Sequence, residues 1–570
     1  MRWMGRAGIC LVFGWLSGSA FAEGDPLQSV RAEMALWLQT MPAAGMQCRE
    51  GEALTSLPLL AKFYQTRRFA PVWFTPQGLA AQAEPFVQIL TQAVSEGLRP
   101  EDYHTEKLSD LLPALRESRP PYNQQAAVLA ASAELLLSDA FFLYGTHLAV
   151  GRMSLEARDG AFYDPRKAYH LNEHLAEALD QDGVFRFFQA WNRQDTLTQG
   201  LKNALRNYRA LNDRGDWIDI PEGPDIHLGE QDALRLPEVR RKLRALGDLS
   251  LAGERGLEPW LDEEMQAALK QYQRRNSLKT TGVLDSATVA TLNRPLENIV
   301  RQLEINLERR RWLPRDLGRR YVLVNIPDFL LRLREDDRTT LRLRVVVGKQ
   351  YRMTPVFAAE ISSVVLNPSW VIPTQIILKE KLTEIRTNPD SFFSKNHILA
   401  MKGREPNIEI IDPAGVDWRH VKKSDYYEFY RFRQEPGPWN ALGRIKFVSP
   451  NLYDVYLHDT PQRELFNESV RDFSHGCIRV EKPLALAEAL LADPLRWTHE
   501  RLVQALAKKP EQTIDLYTPV PVYINYMTTF VGDDGLLYFF PDIYHRDQEL
   551  ASVWDRPLLN PCQPTATPLL

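Results

Sequence analysis

The chain has 570 residues, 44% hydrophobic and 25% charged, with a formal net charge of -4 and a pI near 6.3. That length calls for several separate cores, and the balance of apolar and charged residues excludes both a disordered chain and one embedded in a membrane throughout. A mildly acidic chain without a dominant basic block argues against nucleic acid as a partner.

Residues 1–22 read as a signal peptide. Arg2 and Arg6 precede a short apolar stretch over 9–18, and Ala20-Phe21-Ala22 offers a small-x-small cleavage site, so the protein is expected to be exported, or anchored if the segment stays uncleaved. Cleavage leaves Cys48, Cys477 and Cys562. If Cys477 works as a thiolate, Cys48 and Cys562 either form a disulfide or remain two free thiols.

From 23 to 220 the pattern is helical, with apolar residues recurring every three or four positions around 86–97, 126–148 and 185–211. The stretch 126–148 is apolar enough for a membrane span, but Glu134 and Asp139 near its centre would be costly in lipid, so it reads as a buried helix. No chemical constellation stands out here, and the expected role is a scaffold. Pro221-Glu222-Gly223-Pro224 marks a linker. A compact segment over 225–296 follows, with Val239, Leu243 and Leu246 on one helix, a second helix at 267–272, and the turn Thr281-Gly282-Val283-Leu284-Asp285 before a third ending at Leu292. Past Pro295, Ile299, Leu303 and Leu307 form the stripe of another helix.

The period then changes to that of strands at 321–326, 331–334 and 341–347, so a β-rich domain is expected over 320–510. The charged segment 379–431, ending in Tyr426, Tyr427, Phe429 and Tyr430, is either an inserted lid or a surface excursion. Residues 511–570 read as a C-terminal extension. The expected fold class is multidomain α+β.

The chemistry concentrates in two runs, Tyr453-Asp454-Val455-Tyr456-Leu457-His458-Asp459-Thr460 and Phe473-Ser474-His475-Gly476-Cys477-Ile478-Arg479-Val480. A cysteine nucleophile needs a base or cation close by, and histidine is the usual one. His475 lies two residues before Cys477, so in an extended stretch both would point the same way. His458 ends a strand nineteen residues earlier, a separation that a hairpin could close. Gly476 permits a sharp turn and leaves the Cys477 amide open to an oxyanion. A metal site from His458, His475 and Cys477 lacks a clear fourth ligand, so neither a metal nor a cofactor is expected.

These runs resemble the YkuD-type L,D-transpeptidases, whose signature joins a histidine on one strand to a [Ser/Thr]-His-Gly-Cys-x-Arg/Asn run. The resemblance extends through Val347-Gly348-Lys349, Met353-Thr354-Pro355, 367–373, Arg433-Gln434-Glu435-Pro436-Gly437 and Asn440-Ala441-Leu442-Gly443. The segment 225–296 resembles a peptidoglycan-binding-like three-helix module, and the domain order is similar to the large Gram-negative branch of the family. The resemblance implies a periplasmic enzyme in which Cys477 attacks a tetrapeptide stem between its third residue, usually meso-diaminopimelate, and the terminal D-Ala. A thioester forms, and an acceptor diaminopimelate amine resolves it as a 3→3 cross-link.

By the same resemblance His458 is the base, held by the carbonyl of Asp459, with His475 the competing candidate. The amides of Gly476 and Cys477 form the oxyanion hole. Ser474 is counted with the substrate-binding residues, Arg479 fixes a substrate carboxylate or braces the loop, and Tyr456, Trp370 and Arg433 either shape the donor groove or pack the sheet. Stem peptides are the implied partners, with other cell-wall synthases as further candidates. An L,D-carboxypeptidase or amide hydrolase of the same fold, and a non-catalytic wall-binding scaffold, are the alternatives.

Overall fold

The computed structural model describes residues 25–40, 48–49, 52–153, 171–181, 183–250, 258–336, 338–404, 406–493, 495–508 and 510–556. The expected signal peptide and the Cys48–Cys562 pairing lie outside the described residues and side chains. The chain divides into two units, one of residues 1–150, 166–192 and 555–570, the other of 151–165 and 193–554.

The first unit is built on the 27-residue helix Gln124–Val150, which is buried over most of its length. Phe63, Trp73, Phe86 and Phe188 pack with its Phe141 and Phe142 in one apolar core. Its two acids are satisfied by hydrogen bonds, as buried carboxylates must be. Glu134 accepts from the Tyr64 hydroxyl at 2.6 Å and from the amides of Val72 and Trp73 at 2.7 and 2.9 Å. Asp139 accepts from Ser56 N at 2.6 Å and lies 2.9 Å from His104 Nε2. Length and apolarity suit this helix to a bilayer, and its polar partners explain why it is packed inside protein instead.

In the second unit the helix Thr196–Arg214 packs on Leu296–Trp312 through Leu201, Leu205, Leu303 and Leu307. It therefore lies on the far side of the division from the rest of the expected 23–220 domain. Between these helices sits the three-helix module Leu236–Ala245, Glu263–Arg275 and Ser286–Leu292. Asp262 and Asp285 cap the second and third helices by accepting from Met265 N and Thr288 N at 2.8 Å each. Gln273 holds the turn between them, its Oε1 accepting from Thr281 N and Gly282 N at 2.9 and 2.8 Å.

Eight strands close a barrel in the order Ile445–Val448, Leu457–His458, Ile478–Val480, Arg338–Val346, Leu330–Glu335, Arg320–Asn325, Gln512–Asn525 and Phe357–Leu366, which pairs back to the first. Alternate side chains such as Val322, Val324, Leu331, Leu333, Leu343 and Val345 fill its core. Two expectations change here. The catalytic domain does not end at 510, because Gln512–Asn525 lies parallel to Arg320–Asn325 and antiparallel to Phe357–Leu366 and is needed for closure. The insertion is also wider than 379–431. Barrel strands Phe357–Leu366 and Ile445–Val448 pair directly, and the chain between them forms its own four-stranded sheet, in the order Asn407–Ile411, Ile398–Arg404, Tyr430–Gln434, Trp370–Val371. Helices fold over that sheet around Ile377, Ile385, Phe393, Trp418, Tyr426 and Phe432. The segment is a small subdomain with its own core rather than a surface excursion.

Candidate active site

Strands Leu457–His458 and Ile478–Val480 bring the two chemical runs together, but as a parallel pair, with Leu457 opposite Ile478 and His458 opposite Arg479. A hairpin would be antiparallel, so the connection expected from the spacing is corrected. The intervening chain instead crosses one end of the barrel, where Val347 N donates to Arg471 O and Ser474 N donates to Val347 O, both at 2.8 Å.

This crossover delivers Ser474 to Cys477 as a tight loop rather than an extended stretch. Gly476 sits at φ +116, a conformation that excludes a side chain on backbone grounds, since a Cβ there would meet nothing closer than Met353 O at 3.7 Å. The bend turns His475 and Cys477 apart. His475 is exposed and its Nε2 lies 2.7 Å from Glu380 Oε1, a residue of the insertion. Cys477 is half-buried, with its Sγ 3.9 Å from Asp454 O.

Ser474 and Thr354 shape the loop. The Ser474 hydroxyl donates to Cys477 O at 2.6 Å and accepts from Gly476 N at 3.1 Å. Of the two amides expected to face an oxyanion, Gly476 N–H is thus committed to Ser474, and the Cys477 N–H is the donor left for that task. Thr354, fully buried, donates to Gly476 O at 2.9 Å and accepts from Gly348 N at 2.8 Å. The C=O and N–H of a trans peptide point in opposite directions. Fixing Gly476 O behind the loop therefore aims the Cys477 N–H forward. Tyr544 backs this arrangement, its hydroxyl donating to Gly348 O at 2.5 Å.

His458 is buried, and its Nδ1–H donates to Asp459 O at 2.5 Å, leaving Nε2 as the free acceptor. Burial, with Arg479 and Lys446 adding to it, lowers its pKa to about 3, so the imidazole is neutral at neutral pH. Burial pushes the Cys477 thiol above its ordinary value, opposed by the Tyr456 backbone and by the charges of Lys446 and Arg479. Both shifts favour the neutral forms of the His458 imidazole and the Cys477 thiol.

The Asp459 carboxylate accepts from Arg444 N and Thr460 N at 2.7 Å each and pairs with Arg463, which holds the segment carrying the carbonyl under His458. Gly443, at φ +61, leaves room for it, as a Cβ there would come within 2.3 Å of Asp459 Cγ.

Cys477, His458, His475, Ser474, Arg479, Tyr456 and Trp370 all line one cleft of about 730 Å³ between the barrel and the insertion. Arg433 does not. It pairs with Val371 in the insertion sheet, and strand alternation gives the cleft to its neighbour Gln434. Arg479 Nη1 donates to Gln462 Oε1 at 2.6 Å, while its Nε is buried without a hydrogen-bond acceptor among the described residues. Burial raises the pKa of the Tyr456 hydroxyl, and Lys446 Nζ sits 4.1 Å from the centre of the Tyr456 ring. Sequence reasoning missed Lys446, Glu380 and Gln434. Lys446 becomes visible only once the register places it opposite His458.

Comparison with known proteins matches three segments of the chain to family models. Residues 319–522 match the family model described as "L,D-transpeptidase catalytic domain". The chain carries a YkuD-type L,D-transpeptidase catalytic domain. Residues 58–205 match a "Scaffold domain" and 235–292 a "Putative peptidoglycan binding domain". A relative from Haemophilus influenzae (strain ATCC 51907 / DSM 11121 / KW20 / Rd), named "Putative L,D-transpeptidase", is 37% identical over 262 residues, which are 45% of this chain and 51% of that protein. The chain thus spans about half the length of that relative. The crystal structure of the L,D-transpeptidase (residues 123-326) from Xylanimonas cellulosilytica DSM 15894 aligns at 11% identity over 53% of this chain and 99% of that one, with a TM-score of 0.17, too low to argue from. Scaffold, small module and transpeptidase domain follow one another in the order anticipated from the sequence.

Proposed function

We propose that the protein is a cysteine-dependent L,D-transpeptidase acting on peptidoglycan outside the cytoplasm. Cys477 Sγ attacks the carbonyl joining the third residue of a tetrapeptide stem to its terminal D-Ala. His458 Nε2 takes the thiol proton and returns it to the departing D-Ala nitrogen, while the Cys477 N–H binds the oxyanion. The product is a thioester between the stem and Cys477. An acceptor diaminopimelate amine then forms the C–N bond as the C–S bond breaks, and the thiol is regenerated with a proton from that amine. The observation that carries this reading is the joint placement of a neutral His458, tethered through Nδ1, and Cys477, with an outward-aimed amide, in one cleft.

Arg479 supports it further, since a half-buried guanidinium whose Nε has no hydrogen-bond partner among the described residues suits a substrate carboxylate. The small module matching a peptidoglycan-binding family supports the wall as the workplace. Other cell-wall synthases remain candidate partners, and the segment over 1–22 supports export to the periplasm.

The test is to incubate the mature protein with disaccharide-tetrapeptide and weigh the products. Cross-linked dimer with release of D-Ala is expected. Tripeptide alone would identify an L,D-carboxypeptidase, and no product would leave a wall-binding scaffold.

A further inference from the structure

Glu380 belongs to the insertion, in the five-residue π-helical segment Ile377–Lys381 that interrupts the helix between Thr374–Ile376 and Leu382–Thr387. Such π segments re-aim side chains and recur at functional sites. Here Glu380 reaches the barrel, where Oε1 lies 2.7 Å from His475 Nε2 and 3.1 Å from Arg352 Nη2. Both partners belong to the catalytic framework. His475 is two residues before the nucleophile, and the Arg352 loop runs behind Gly476, whose Cβ position lies 3.9 Å from Arg352 O. One carboxylate oxygen therefore ties the insertion to both loops around Cys477. The insertion presents Ile372, Ile376, Phe392 and Ile398 beside the polar Gln375 and Asn396 to the same cleft, so where this tie holds, a largely apolar wall closes the cleft that Cys477 lines.

We infer that Glu380 is a positioning residue which holds the insertion against the catalytic loop and so decides whether an amine or water resolves the acyl-enzyme. The inference rests on the reading of Cys477 as the acylated nucleophile. Aminolysis forms a C–N bond and breaks the C–S bond, and the amine's proton goes to the thiol. Hydrolysis forms a C–O bond instead, giving a tripeptide carboxylic acid and the same free thiol. Both share one acylation step, so the ratio of their products reports the second step alone. Only the second step depends on how well an apolar wall excludes water while a bulky acceptor is in place. The three side chains are each partly exposed, at 32% for His475, 36% for Glu380 and 18% for Arg352, so the tie can open to admit a stem and close again.

The experiment compares wild type, Glu380→Ala and Glu380→Asp on disaccharide-tetrapeptide, reading the dimer-to-tripeptide ratio and, separately, the rate of D-Ala release. Glu380→Ala is expected to lower the ratio by at least about fivefold, with Glu380→Asp between it and wild type, and reading the ratio per D-Ala released divides out any change in acylation. Hydrogen exchange over 374–387 should accelerate in Glu380→Ala, with the barrel strands unchanged. An unchanged ratio, or exchange over 374–387 no faster than in wild type, overturns the inference even if the enzyme is a transpeptidase. A wild type that makes no dimer overturns the reading beneath it instead.

Discussion

Thr354→Val isolates the orientation of one peptide group. Valine keeps the branched shape of a fully buried threonine and removes the hydroxyl that donates to Gly476 O at 2.9 Å and accepts from Gly348 N at 2.8 Å. The stability cost follows from leaving buried backbone groups unsatisfied and should be roughly 1–3 kcal/mol, read as a lower melting temperature. For catalysis, outright loss of an oxyanion donor costs about 10²–10³ in rate, and a Cys477 N–H that is loosened rather than removed should cost about 10–100-fold. That corresponds to about 1.4–2.7 kcal/mol in the acylation barrier. The assay is D-Ala release under kcat/KM conditions, at a temperature where the variant is fully folded. Thr354→Ser, which keeps the hydroxyl, should recover to within about threefold of wild type. Thr354→Val acting at the wild-type rate, or Thr354→Ser as impaired as Thr354→Val, would refute the argument that this hydroxyl aims the Cys477 amide.

Four further outcomes follow from the site. His458→Ala should slow acylation more than His475→Ala by at least about tenfold, because only His458 is tethered through Nδ1 with Nε2 free, and the reverse order would exchange their roles. Burial holds His458 at about 3, below its unfolded value of about 6.5, so its contribution to stability is complete above that pH and is lost as the pH falls towards 3. Acylation should then show no inflection between about pH 5 and 7, and an NMR titration of His458 giving a pKa of 6 or more would contradict this. Gly443→Ala forces a Cβ against the Asp459 carboxylate at φ +61 and should destabilise by roughly 1–3 kcal/mol while slowing acylation, so a variant as stable and active as wild type would count against the Asp459 brace. A carbapenem should add once to the protein, and an adduct retained in Cys477→Ala would place the reactive group elsewhere.

Much of the architecture was legible because its signals are local. The change from helical to strand period near residue 320, the Gly282–Asp285 turn and the acid-bearing helix over 124–150 each depend on neighbours in sequence. The errors lie where pairing between distant segments decides. Gln512–Asn525 looks like an appendage until its partners 146 to 200 residues upstream are known, and the parallel pairing of Leu457 with Ile478 cannot be read from their separation. The same holds within the site. Cys477, His458, His475 and Ser474 announce themselves by residue type and spacing. Glu380 and Gln434 reach the cleft through an inserted subdomain, Lys446 comes opposite His458 and against Tyr456 through strand register, and Arg433 stays out of the cleft because alternation turns it away.

In the proposed reaction Cys477 carries the acyl group, and an intact-mass measurement detects that group most directly. Protein mixed with disaccharide-tetrapeptide and quenched in acid within the first turnover should gain the mass of the disaccharide-tripeptide acyl group, with peptide mapping placing it on Cys477 and Cys477→Ala showing no gain and no D-Ala release. An adduct on another residue, or D-Ala release by folded Cys477→Ala at the wild-type rate, would contradict the account.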